Sequence, residues 1–101
     1  MLNERLSYVF DPEKNRILKE TRGVNFDDAI IAIAEGKILG IHKHPNFHKY
    51  PEQLIAILQI GEYAYQMPFV IEDGNVMLKT VYASRKATKY YLASKEEINN
   101  E

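Results

Sequence analysis

The chain has no cysteine, which excludes a disulfide framework and a thiolate zinc site. It has no apolar run near the ~20 residues that a membrane helix needs. Neither sign of charge dominates: 13 Lys+Arg stand against 14 Asp+Glu, a net charge of −1. That balance argues against a wholesale nucleic-acid coat and leaves room for a local basic site. A glycine-rich phosphate loop, a serine nucleophile elbow and a paired-carboxylate signature are all missing. Residues 1–6 lack the apolar segment of a secretory signal. The expectation is a soluble, cytoplasmic protein with no membrane contact. Its 101 residues suffice for one domain, which can bury roughly two thirds of its unfolded surface. That domain is expected over residues 1–94, with a polar tail at 95–101.

What is present reads as alternating elements. Residues 6–10 suit a short strand. Asp11-Pro12-Glu13 then reads as a helix start, with Asp11 capping, Pro12 at the first helical position and Glu13 favoured by the dipole. Gly23 stops that helix. Asn25 is the expected cap of a second helix, in which Phe26, Ala29, Ile30 and Ile33 share a face, and Gly36 ends it. Residues 38–41 form a short apolar strand and 42–51 a polar loop. The apolar run 54–60 fits a central strand buried on both faces. Gly61-Glu62 and Asp73-Gly74 are hairpin signals, and they flank an alternating strand, Tyr63, Tyr65, Met67, Phe69 and Ile71. Pro68 inside that strand points to an edge or a bulge. Residues 76–83 read as one last strand, and Ser84 caps a short C-terminal helix. The fold class is therefore α+β, with two N-terminal helices on a mostly antiparallel sheet of four to five strands.

Three features could carry chemistry. The first is Ser84-Arg85-Lys86-Ala87-Thr88-Lys89-Tyr90-Tyr91, preceded by Lys79, with no acidic residue from 79 to 91. Cations at a helix N-terminus oppose the dipole. The arrangement makes sense where an anion binds, since helix-start N–H groups and cations both point at it. A solvated basic turn is the alternative. The second feature is the loop 42–51, which holds His42, His44 and His48. Its spacing matches no specific zinc pattern, so no metal or other cofactor is expected. A proton-transfer histidine fits better, because imidazole titrates near neutrality. The third is the set of seven tyrosines. Of these, Tyr90 and Tyr91 follow the basic cluster, where aromatic faces can stack RNA bases.

The chain also resembles a known family over residues 8–92. Phe10-Asp11-Pro12-Glu13-Lys14-Asn15 resembles an aromatic-Asp-Pro-x-Lys-x-x-Asn opening. Gly23-Val24-Asn25-Phe26-Asp27-Asp28-Ala29 is similar to a Gly-Val-x-Phe-acidic-acidic-Ala helix start. Ala83-Ser84-Arg85-Lys86-Ala87-Thr88 resembles a Ser-Ala-Arg-x-Ala turn into the last helix. Together these are similar to the BrnT family, the toxin half of bacterial type II toxin–antitoxin modules. Arg22 stands where the family usually has His, and Glu52-Gln53 where it usually has Arg.

The resemblance implies a RelE-like fold and a ribonuclease that cuts messenger RNA, free or ribosome-associated, without metal. It also implies a cognate antitoxin, a small DNA-binding repressor. In such a site, attack of a 2′-hydroxyl on the adjacent phosphate needs a base, an acid and cations for the developing charge. Arg85 suits the phosphate clamp through its planar fork, with Lys89 one turn away. His44 or His48 would supply acid–base catalysis. Lys86, Lys79 and Lys14 would add RNA-binding charge, and Tyr90 and Tyr91 stacking faces. The competing readings are a non-catalytic protein-binding module and a RelE-like toxin acting on a protein target.

Overall fold

The computed structural model describes residues 2, 3 and 5–93, so the expected polar tail lies outside the described residues. The first helix, α1 (Pro12–Arg22), begins where the sequence signals it. The Asp11 side chain accepts from the N–H groups of Glu13 at 2.9 Å and Lys14 at 3.4 Å. It ends at Gly23, whose φ of 75° is the left-handed cap that glycine adopts without a Cβ clash. Asn25 caps α2 (Phe26–Ala34) in a reciprocal capping box with Asp28. Asn15 of α1 ties the two helices together. Its Oδ1 accepts from the Phe26 N–H at 2.8 Å and its Nδ2 donates to Asp27 at 2.9 Å.

The strands are β1 (Ser7–Val9), β2 (Ile38–Lys43), β3 (Leu54–Ile60), β4 (Tyr63–Glu72), β5 (Asn75–Leu78) and β6 (Tyr82–Ala83). They form one sheet in the order β1-β5-β4-β3-β2, with β6 also paired to β4. All pairs are antiparallel except β1 with β5, which is parallel, so the sheet is mixed. A last helix, α3 (Arg85–Leu92), follows. No helix among the described residues is long and apolar enough to cross a membrane.

Three expectations change, the first being the strand count, which is six rather than four to five. Residues 76–83 are not one strand but two, separated by 79–81. Pro68 accounts for the break, although it sits in an interior strand rather than at an edge. Its carbonyl accepts from the Lys79 N–H at 2.9 Å, but it has no N–H to return on that side, so the ladder lapses there. On its other side Pro68 faces Ile55 of β3 in register. Both hairpin turns form as expected. Gly61 takes φ 64° at the first, and Asp73 and Gly74 take φ 52° and 80° at the second.

β3 is buried on both faces, and this divides the core. Ala56 and Leu58 pack on one side with Phe26, Ala29 and Ile33 of α2, Leu18 of α1, and Met67 and Phe69 of β4. Ile55 and Ile57 pack on the other with Ala64 and Ala87, flanked by Leu39, Tyr91 and Leu92. So α1 and α2 cover one face of the sheet, and α3 partly covers the opposite one.

Candidate functional site: the cleft beside the last helix

The chain leaves the sheet at β6, and its hydrogen bonds determine where α3 sits. The Ser84 N–H donates to the Ala64 carbonyl of β4 at 2.9 Å. A regular ladder would return a bond from the Ala64 N–H to the Ser84 carbonyl. Here that carbonyl accepts instead from the Thr88 N–H at 3.0 Å, as the first bond of the helix. The Ala64 N–H is satisfied by Thr88 Oγ1 at 2.8 Å, and that hydroxyl donates to the Ser84 carbonyl at 2.7 Å. Ser84 Oγ caps the helix by accepting from the Ala87 N–H at 3.0 Å. Thr88 thus takes the place of a strand carbonyl and fastens α3 to β4.

One turn beyond buried Ala87, Tyr91 reaches across to β2. Its hydroxyl lies 2.7 Å from Nε2 of His42. Gly40, two residues earlier on the same face of β2, makes room for it. A Cβ there would stand 2.6 Å from the Tyr91 hydroxyl oxygen.

Between these elements lies an open cleft of about 380 Å³. Its floor is Ile57, Gln66 and Ala87, and its walls are His42, Lys86, Tyr90 and Tyr91. None of these residues is acidic. Gln66 is held in place: its Oε1 accepts from the Tyr82 hydroxyl at 2.9 Å and its Nε2 donates to Ser84 Oγ at 3.3 Å. Tyr90 is 80% exposed and meets Tyr91 edge to face, with centroids 4.7 Å apart. The cleft therefore combines a cation, an imidazole, a phenol hydroxyl and an open aromatic ring over a floor of two apolar side chains and one amide.

Of the residues singled out from sequence, Lys86, Tyr90 and Tyr91 meet here. Arg85 and Lys89 are exposed and one helical turn apart, on the side of α3 turned away from Ala87, and they do not line the cleft. Lys79 is exposed just after β5, in the gap before β6. Lys14 lies on α1, on the helix layer that covers the opposite face of the sheet. His44 and His48 stay within their loop. His44 Nδ1 accepts from the Asn46 N–H at 3.0 Å and its ring packs 4.6 Å from Tyr50, while His48 packs 4.5 Å from Phe47. Among the described residues no cluster of three or more His, Asp or Glu could hold a metal ion.

The histidine at the cleft is His42, one of the three in the loop 42–51, whereas acid–base catalysis was expected from His44 or His48. Strand alternation was the available signal, because β2 extends to Lys43 and pairs His42 with Ile55. A scan against protein-family models, a search of curated proteins and a search of solved structures return no match.

Proposed function

We propose that the chain is the toxin of a bacterial type II toxin–antitoxin pair, a divergent relative of the BrnT family with a RelE-like fold. On this reading it inhibits translation by cutting messenger RNA without a metal ion. The observation that carries the proposal is the cleft beside α3, where Lys86, His42 and two tyrosines stand together with no acidic residue in the lining. Lys86 offsets the charge that develops on the phosphorane. Tyr90 offers its exposed ring to a base. Arg85 and Lys89, on the outer side of the same helix, guide the flanking phosphates of the strand. The partner this reading requires is a small DNA-binding antitoxin.

The test is incubation of the purified protein with labelled RNA, alone and with ribosomes, with and without a metal chelator. The expected products carry 2′,3′-cyclic phosphate and 5′-hydroxyl ends, in equal yield with chelator present. Intact RNA under every condition, or cleavage abolished by the chelator, overturns the proposal.

A further inference from the structure

His42 has a more defined environment than a lining residue needs. Nε2 lies 2.7 Å from the Tyr91 hydroxyl oxygen, and Nδ1 has no partner among the described residues. The contact depends on an absent side chain, since a Cβ on Gly40 would stand 2.6 Å from that oxygen, 3.2 Å from Cζ of Tyr91 and 3.3 Å from Nε2 of His42. Gly40 is not among the glycines with positive φ, so the need for glycine there is one of space alone. The tyrosine also arrives on a helix fastened to β4 by Thr88. The titratable and charged groups facing the imidazole are Tyr91, Tyr90 and Lys86 of α3, while β3 and β4 present neutral Ile57 and Gln66.

We infer that His42 is the proton acceptor of this site, working through Nδ1, and that Tyr91 is its positioning residue. The inference rests on the RNA-cleavage reading above. With the Tyr91 oxygen accepting from Nε2–H, the neutral ring keeps a lone pair on Nδ1, the nitrogen left without a partner. In the cleavage step Nδ1 takes the proton of the 2′-hydroxyl while the 2′-oxygen bonds to phosphorus. The bond from phosphorus to the 5′-oxygen breaks, and that oxygen takes a proton from water. The resulting hydroxide and imidazolium then neutralise each other, so the ring returns to its starting form. Gly40 is the clearance that lets the pair form.

Three variants of the full chain test this, His42→Gln, Tyr91→Phe and Gly40→Ala, read by RNA cleavage and by ¹⁵N NMR of the His42 ring. The wild-type ring is expected as the Nε2–H tautomer. His42→Gln should lose about 10²–10⁴-fold in cleavage rate together with the acid limb of the rate–pH profile. Tyr91→Phe, which keeps the aromatic packing, and Gly40→Ala, which displaces the hydroxyl, should both mix the tautomers and slow cleavage. Cleavage by His42→Gln at the wild-type rate overturns the inference and leaves the nuclease reading standing. A wild-type ring in the Nδ1–H form overturns it as well, as does a Tyr91→Phe protein with unchanged rate and tautomer. If the wild type cuts no RNA, the nuclease reading fails and the base role fails with it. The ring spectrum then decides the positioning claim alone.

Discussion

Replacing Thr88 with valine removes one hydroxyl and preserves the branched shape, so it isolates the bond that fastens α3 to the sheet. The Ala64 N–H that donates to Thr88 Oγ1 at 2.8 Å belongs to a residue with no exposed surface. Water cannot replace the lost acceptor, and a buried donor left without a partner costs about 1–3 kcal/mol. The second lost bond, from the hydroxyl to the Ser84 carbonyl, matters less, because that carbonyl still accepts the Thr88 N–H. In a domain of this size about 1 kcal/mol moves Tm by about 4–8 °C, so Thr88→Val should melt at least about 4 °C lower. Its urea midpoint should fall with the slope unchanged. Thr88→Ser keeps the hydroxyl and should retain most of the stability. Amide exchange should quicken first in α3, whose hold on β4 is weakened. A valine variant within about 0.3 kcal/mol of wild type would refute the argument that this hydroxyl stands in for a strand carbonyl.

On the proposed toxin reading, Arg85→Ala combined with Lys89→Ala should weaken growth inhibition while the circular dichroism spectrum is unchanged, and undiminished toxicity in the folded double variant would remove these residues from the proposed RNA path. On the RNA-cleavage reading proposed above, Lys86→Ala should weaken single-stranded RNA binding and reduce the slope of log affinity against log salt by about 0.7, the share of one phosphate contact; an unchanged slope would place the phosphate elsewhere. Asn15→Ala leaves the part-buried Phe26 N–H without its acceptor and should cost about 1–2 kcal/mol in denaturant unfolding. Hydrogen bonding to Arg16, followed by its charge, holds the Glu13 carboxyl below its usual value. A depressed carboxyl contributes its stability in full above the usual carboxylate value and loses it as pH falls through the lowered one. The side chain is exposed and its ion pair lies at the surface, so Glu13→Gln should leave neutral-pH stability nearly unchanged and flatten the acid limb only slightly.

Local chemistry was legible in the sequence wherever one residue type satisfies one backbone need. Asp11, Asn25 and Ser84 cap helices because each carries a short acceptor beside free N–H groups. Gly23 and Asp73-Gly74 mark positive φ. The apolar run of β3 announced burial on both faces. The sheet edge was harder to read, since the parallel contact of Ser7–Val9 with residues 75–77 rests on only three residues a side. Pro68 pointed to an edge or a bulge and marks neither, since β4 is interior and its register with β3 is unbroken; the lapse falls on the partner strand instead, because a proline removes a donor that only its neighbour would have used.

The site was legible on α3 and illegible on the sheet. Lys86, Tyr90 and Tyr91 stood out because charge and aromatics crowd one short helix. Which of them share a cleft depends on how that helix is rotated against β4, and that rotation follows from two bonds to Ala64 that no local pattern announces. The same rotation turns Arg85 and Lys89 outward. His44 and His48 drew notice as histidines in a polar loop, yet their rings are occupied inside that loop. His42 lies in a strand, where a polar residue reads as a solvent-facing position. Its meaning comes from Tyr91, 49 residues away, and from the side chain that Gly40 lacks. A search for catalytic groups by residue type alone therefore stops two and six residues past the one that faces the cleft.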